Sequence, residues 1–176
     1  MIILAQDEVI QEKQSGTAAW ILSKPVSRPA FILTKLLSNG IGALIFIVTI
    51  PAVVTVGEIY LAVQHGVTIF PYLMGIGVVL LALYFYLCLT LMLGVLFEQR
   101  GPVLGVAFGV MFGGLIASQF APQVSYFLPV NMDKIAFALS QGQALPAVAL
   151  SQLITTAAWI ILFTVIALWR FERIEL

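Results

Sequence analysis

The residues that could do chemistry are few, and they include one histidine and one cysteine among 176 residues. His65 has no neighbouring histidine or cysteine with which to hold a metal ion, so we interpret it as a solvated loop residue. Cys88 cannot form a disulfide within one chain and lies in an apolar stretch, where a helix-facing or lipid-facing thiol is expected. Neither residue predicts a catalytic or metal site.

Motifs of catalysis are absent from the sequence. No His-Glu-x-x-His, no Gly-x-Ser-x-Gly and no pair of membrane aspartates occurs, which argues against an intramembrane enzyme. There is no Gly-x-x-x-x-Gly-Lys-Ser/Thr loop either, so we expect any ATPase to be a separate polypeptide. Eight Lys plus Arg balance eight Asp plus Glu, which leaves no basic excess to suggest nucleic acid as a partner.

Four apolar stretches without a charged residue indicate the class of protein. They are Leu36–Gly57, Tyr72–Phe97, Pro102–Phe120 and Ala147–Trp169. Each reaches or approaches the ~20 residues that a helix needs to cross about 30 Å of hydrocarbon. The chain is 61% hydrophobic, whereas soluble domains are ~45–50% apolar. We therefore predict an all-α polytopic membrane helical bundle, a single transmembrane domain over residues 1–176.

The basic residues predict the orientation of the four spans. We call the side of the membrane on which Met1 lies side A, and the opposite side side B. The segments before, between and after the four spans then lie alternately on side A and on side B. Side A holds Lys13, Lys24, Arg28, Lys35, Arg100, Arg170 and Arg173, whereas side B holds only Lys134. Because basic residues near helix ends stay in the cytoplasm, we expect both termini to be cytoplasmic in a multi-pass protein of the cell membrane.

The segment before the first span, residues 1–35, is interrupted by glycine and proline. Gly16 and Pro25 bracket a short apolar segment with Trp20 in its middle. Ser27-Arg28-Pro29 resembles an N-cap followed by proline, so a new helix should start near Pro29 and run into the first span. The bracketed segment is either a cytoplasmic helix that transmits a push or an interfacial helix with Trp20 as its aromatic anchor.

At this segment the sequence resembles a known family. The matching residues are Glu12-Lys13-Gln14-Ser15-Gly16-Thr17, then Ile21-Leu22-Ser23-Lys24-Pro25-Val26-Ser27-Arg28, then Lys35. In this order they resemble the signature of ABC-2-type ABC transporter permeases, which lies in the cytoplasmic loop between their second and third transmembrane helices. The resemblance implies the transmembrane domain of a type V exporter-like transporter.

The resemblance also implies partners and residue roles. The coupling segment, residues 1–35, would dock on an ABC ATP-binding subunit that carries ATP and Mg, so no cofactor is expected on this chain. Trp20 would be the anchor, as desolvated aromatics dominate interfaces. The remaining contact residues would be Glu12, Lys13, Gly16, Lys24, Pro25, Arg28 and Lys35. Arg28 and Lys35 could instead mark the headgroup boundary. A second permease copy or a paralogue would complete the transporter.

One departure from the family pattern stands out. A typical member has two helices before the signature, whereas here only Met1-Ile2-Ile3-Leu4-Ala5 occupies their place. We interpret the chain as N-terminally incomplete rather than as a natural four-helix form. Losing two helices preserves the orientation, which is why the charge rule still applies.

Small residues recur in the third span. Gly101, Gly105, Gly109 and Gly113 are spaced by four, which places them on one helix face. Small residues let helix backbones approach in lipid, so we expect this face to pack against another helix. The contact is either static, within the same subunit, or a sliding contact with the partner half. Pro51 in the first span predicts a kink.

The remaining predictions concern the last loop on side B, the polar residues within the spans and the mode of transport. In the side B loop, Val124–Val130 and Ile135–Leu139 suggest short helices that dip into the membrane. The polar residues within the spans are expected to form interhelical hydrogen bonds. Because no span contains an ionisable residue, an ion-coupled secondary transporter is disfavoured. A non-transporting membrane scaffold is the alternative to a permease. The apolar pathway favours a lipid, a peptide or an amphipathic drug without selecting among them.

Overall fold

The computed structural model describes residues 27–63 and 68–173, together with residues 2, 10–12, 15 and 20. Within these ranges the chain is helical and forms no strand. The elements in chain order are α1 (Arg28–Gly42), a π-helical segment (Ala43–Thr49), α2 (Ile50–Val63), α3 (Ile69–Leu96), α4 (Arg100–Phe120), a 3-10 segment (Pro122–Tyr126), α5 (Met132–Ser140) and α6 (Ala149–Glu172).

Four of the described helices are long and apolar enough to cross a membrane. They are Arg28–Leu61, Ile69–Leu96, Arg100–Phe120 and Ala149–Glu172, with 34, 28, 21 and 24 residues. This confirms the four predicted spans and an all-helical, multi-pass membrane protein. The helix that carries the first span begins at Arg28, eight residues ahead of the uncharged stretch that starts at Leu36, because a helix continues past the point where its sequence stops being apolar.

The start of α1 follows the predicted capping pattern. Ser27 is the N-cap, and its Oγ accepts a hydrogen bond from the backbone N–H of Ala30 at 3.4 Å. Pro29 lies within the first two helical positions, where its missing N–H would have no partner in any case. The predicted helix start near Pro29 is therefore confirmed.

The middle of the first span winds more widely than an α-helix. In the π-helical segment Ala43–Thr49 the backbone N–H of Ile50 bonds to Ile45 O, five residues earlier. The Thr49 hydroxyl likewise donates to Leu44 O at 2.7 Å. Pro51 follows directly and has no N–H to give to the carbonyl of Ile47, so an α-helical ladder would be broken here in any case. The kink expected at Pro51 stays a prediction, and the described irregularity is the π-helical segment that ends just before Ile50 and Pro51.

The centre of the bundle is α3, the most buried of the four spans. Its second half packs against α6, and Phe85 of α3 lies with its ring centroid 5.6 Å from that of Phe163. Cys88 is buried there as well and accepts a hydrogen bond from the Thr164 hydroxyl at 3.5 Å. Of the two orientations expected for this thiol, the helix-facing one is confirmed.

The first half of α3 carries α5, the short helix of the side B loop. At Gly75 an added Cβ would lie 2.7 Å from the backbone oxygen of Ala136, so only glycine permits this approach. Asn131, in the left-handed conformation with φ 61, turns the chain into α5. The short helix expected at Ile135–Leu139 is confirmed as part of α5, whereas of Val124–Val130 only the part up to Tyr126 lies in a 3-10 segment. The dip of these pieces into the membrane stays a prediction.

Candidate functional site

The side A ends of α1 and α6 meet, although they are separated by most of the chain. The Nη1 of Arg28 donates a hydrogen bond to the backbone oxygen of Glu172 at 2.8 Å. The last carbonyls of a helix lack partners within it and form the negative end of its dipole. A guanidinium is therefore well suited to this position, and Arg28 ties the first turn of α1 to the last turn of α6.

Two aromatic rings reinforce the same junction. Phe31 and Phe171 stack with centroids 5.2 Å apart and ring planes 2° apart. Phe171 is fully buried, with no exposed surface. Such pairs contribute roughly 0.5–1.5 kcal/mol beyond the burial of their area. Neither residue was predicted as a site residue, because no local sequence pattern connects two phenylalanines so far apart in the chain.

An ion pair links two distant residues of the coupling segment, Glu12 and Lys35, of which Lys35 also lies in α1. The Nζ of Lys35 lies 2.6 Å from Oε1 of Glu12, with 23% and 22% of the two side chains exposed. The other oxygen of Glu12, Oε2, is buried and has no hydrogen-bond partner among the described residues. Ile2 and Ile10 are buried in the same hydrophobic core as Phe31 and Phe171. The described part of the coupling segment is thus held against the side A end of the bundle.

The remaining predicted coupling residues divide into two groups. Trp20 is 62% exposed, which leaves most of its surface available to another molecule. Lys13, Gly16, Lys24 and Pro25 lie outside the described residues, as does His65. The structure therefore brings Glu12, Arg28 and Lys35 to one end of the bundle and leaves the arrangement of the other predicted residues untested.

The predicted glycine face has open space in front of it among the described residues. A Cβ added at Gly101, Gly105, Gly109 or Gly113 would meet nothing within 4 Å in the part of the chain that the structure describes. These glycines therefore do not pack closely on another described helix, and both alternatives, static contact within the subunit and sliding contact with a partner half, stay predictions. The glycines that do face neighbours are others: an added Cβ would contact Tyr84 at Gly40 and Val130 at Gly114.

A polar face on α6, which sequence reasoning missed as a unit, holds the side B loop. Gln152, Thr155 and Trp159 donate to backbone oxygens of the segment that precedes α5. Thr155 reaches Tyr126 O and Trp159 reaches Phe127 O, both at 2.8 Å. The i, i+3, i+7 spacing places these three donors on one face of the helix and is the signal that could have found them.

Most polar residues of the spans do not bond between helices, contrary to the prediction. Thr90 donates to Tyr86 O at 2.6 Å, and Thr156 donates to Gln152 O at 2.7 Å, each within its own helix. The physical reason is geometric, because a serine or threonine hydroxyl reaches the carbonyl three or four residues earlier. A described exception is Thr164, which contacts Cys88 of another helix.

These contacts describe a multi-pass helical membrane protein whose first and last spans contact each other at their side A ends. The described residues contain no group of three or more His, Cys, Asp or Glu side chains that could hold a metal ion. The chain belongs to the family described as Protein of unknown function (DUF2705), whose family model matches residues 1–176. No curated protein matches the chain.

Proposed function

We propose that the protein is the membrane subunit of an ATP-driven transporter of the ABC-2 type, an exporter whose ATP is hydrolysed on a separate subunit. The observation that carries this proposal is the ion pair between Glu12 and Lys35. Both belong to the residues that resemble the ABC-2 signature, and they are 23 positions apart in the sequence. Their contact holds the front part of the coupling segment on α1, the helix that continues into the first span.

The contacts around the ion pair support a mechanical role. A partner that moves the coupling segment pulls on Lys35, near the start of the first span. Arg28 and Phe31 lie on the same helix and hold Glu172 and Phe171 of the last span. A displacement at Glu12 would therefore reach two spans together. Trp20, largely exposed, offers the partner an aromatic surface to bury.

The chemistry of the spans also favours an external motor. An ion-coupled carrier normally keeps an ionisable residue inside the membrane, despite a cost of roughly 2.5–3.5 kcal/mol on insertion scales. The four apolar stretches contain none. The energy for transport would then enter from side A, through the coupling segment.

The test is co-purification of the protein with ABC ATP-binding subunits co-expressed with it. We expect the wild type to capture one of these subunits and to change its ATPase rate. Glu12→Lys should weaken the coupling, because it places two cations together, and adding Lys35→Glu should restore it. Trp20→Ala should reduce capture.

The matched control is Asp133→Lys, a charge reversal on side B, which should have no effect on capture or on the ATPase rate. Failure of the wild type to bind any ATP-binding subunit would overturn the proposal and leave a membrane scaffold. Equal activity of the Glu12→Lys variant and the charge-swapped pair would remove the ion pair from the coupling pathway.

A further inference from the structure

A small cavity lies on side B, between the 3-10 segment, the first turn of α5 and the first half of α6. Its volume is about 140 Å³, and its polar lining comes from Ser125, Asn131, Lys134 and Gln152. A water molecule takes up about 30 Å³ in the liquid, so the cavity has room for about four waters or for one small tetrahedral ion. We call this cavity the loop pocket.

One arm of the Gln152 amide remains available to an occupant of the loop pocket. Gln152 is 1% exposed, and its Nε2 donates to Leu128 O at 2.8 Å and to Val130 O. These two bonds fix the orientation of the amide, because its oxygen could not donate to a carbonyl. The Oε1 accepts no hydrogen bond from another described residue. A polar atom in so enclosed a place is stabilised by a hydrogen-bond donor, so the pocket favours an occupant that donates to Oε1.

The other polar side chains of the loop pocket can bind an anion. The side chains of Ser125, Asn131 and Lys134 form no hydrogen bond or ion pair with another described residue. Among the described residues that line the pocket, Lys134 alone carries a charge. Asn131 and Lys134 belong to the N-terminal end of α5, where backbone N–H groups and the helix dipole add positive potential. Asp133, the acidic residue of this turn, does not line the pocket.

We propose that the loop pocket binds a phosphate group that keeps a proton, that is, an oxyanion with at least one P–OH. The ammonium of Lys134 binds the charged oxygens, which also accept hydrogen bonds from Ser125 and Asn131. The P–OH donates to Oε1 of Gln152, a bond that sulfate cannot form because it carries no proton near neutral pH. A free phosphate ion and the phosphomonoester headgroup of a lipid offer the same chemistry. The site concerns binding on side B and stands independently of the proposed coupling to an ATPase on side A.

The experiment is isothermal titration calorimetry of the purified protein in phosphatidylcholine nanodiscs, with inorganic phosphate as the probe. The solution is held near pH 6, because a phosphomonoester, whose second pKa is about 6, then keeps its proton in about half of the molecules. We expect saturable binding of phosphate. Sulfate has the same shape and a larger charge, yet it should bind at least about fivefold more weakly, the effect of losing one hydrogen bond.

The lipid composition of the discs distinguishes the two sources of the phosphate group. Phosphatidic acid is a phosphomonoester, whereas phosphatidylglycerol is an anionic phosphodiester without a P–OH and controls for the surface charge. Loss of phosphate binding in discs with phosphatidic acid, but not in discs with phosphatidylglycerol, would identify the lipid headgroup as the ligand. Equal binding in both kinds of disc would identify the free ion.

Variants test the donors of the loop pocket. Lys134→Gln should weaken phosphate binding about tenfold, because a charge-assisted hydrogen bond is about twice as strong as a neutral one. Asn131→Gly removes the amide but keeps the backbone at φ 61, which glycine adopts freely, and should weaken binding about fivefold. Asp133→Asn, a charge removal at the neighbouring position outside the pocket, is the matched control and should not weaken binding. The Oε1 of Gln152 is tested by the choice of ligand, because Nε2 of the same amide holds the loop.

Two results would overturn the proposal. One is the absence of saturable phosphate binding in phosphatidylcholine discs, which would leave the loop pocket to water. The other is binding of sulfate as tight as that of phosphate, or phosphate binding that Lys134→Gln leaves unchanged, because the ion would then lie elsewhere. Phosphate binding that follows the expected pattern, with no ATP-binding subunit captured, would support the site and contradict only the proposed function.

Discussion

Phe31 and Phe171 lie with their rings parallel within 2° and their centroids 5.2 Å apart, so the first turn of the first span is stacked on the last turn of the last span. The hydrogen bond from Arg28 to Glu172 O lies beside this stack. Together these contacts join the two ends of the described chain on one side of the bundle. The side A end should therefore behave as one cooperative unit.

Removing one ring of the stack should loosen this unit. Phe171→Ala deletes a fully buried aromatic, and such deletions cost about 3–5 kcal/mol. We expect a lower midpoint of thermal unfolding in detergent micelles. Phe46→Ala is the control, because that ring is largely exposed and its loss should matter little. In a double-mutant cycle with Phe31→Ala, a coupling of about 1 kcal/mol is expected; strictly additive effects would contradict the stack.

The three donors on α6 should govern the order of the side B loop. Trp159→Phe keeps most of the ring but removes the N–H that reaches Phe127 O at 2.8 Å. Because the loss of one hydrogen bond costs about 0.5–1.5 kcal/mol, backbone amides near the 3-10 segment should exchange hydrogen faster. Thr156→Val is the matched control, since the hydroxyl of Thr156 bonds only within its own helix. Unchanged exchange in Trp159→Phe would show that the loop holds itself in place.

Two glycine-to-alanine substitutions should differ sharply. At Gly75 the new Cβ would lie 2.7 Å from the backbone oxygen of Ala136, so α5 must shift and about 1–3 kcal/mol should be lost. At Gly105 a Cβ meets nothing within 4 Å among the described residues, and alanine should be neutral or slightly stabilising. Unfolding in denaturant compares the two. Equal stability of both variants would mean that α5 does not pack on α3 as described.

A larger side chain at Gly105 tests the outward glycine face. Gly105→Leu should leave the stability of the isolated chain unchanged, because the added atoms find open space. We expect it to lower assembly with a second permease copy or transport by the complete transporter, since the smooth face would be lost. Gly57→Leu, at another open glycine, is the control. Full assembly and transport in Gly105→Leu would indicate that this face meets lipid.

The parts of the fold that sequence predicts are those set by local chemistry. The spans follow from the length of the apolar stretches, and the start of α1 follows from Ser27 and Pro29. The stack of Phe31 on Phe171 joins residues 140 positions apart, and no periodicity connects them. The glycine face shows the same limit, because four-residue spacing predicts a smooth surface without indicating what the surface contacts.

The candidate site was predictable to a similar degree. Glu12, Arg28 and Lys35 were identified from the signature they resemble, but the pairing of Glu12 with Lys35 depends on how the segment folds back on α1. The partners of the hydroxyl groups were not foreseen either, because a sequence shows where the hydroxyls are without showing which carbonyl each one bonds.

The length of the first span has a consequence for motion. Its apolar part starts at Leu36, so the residues from Arg28 to Lys35 form an overhang of about 12 Å at the ~1.5 Å rise of a helix. This overhang is continuous with the rest of the first span, so a rotation of α1 about its own axis turns Arg28, Phe31 and Lys35 through the same angle. We expect this rotation to extend along the helix to Ala43–Thr49, because the π-helical winding there can change its number of residues per turn. The π-helical segment thus separates the rotation of α1 from that of α2, so that one half of the first span can rotate while the other keeps its position.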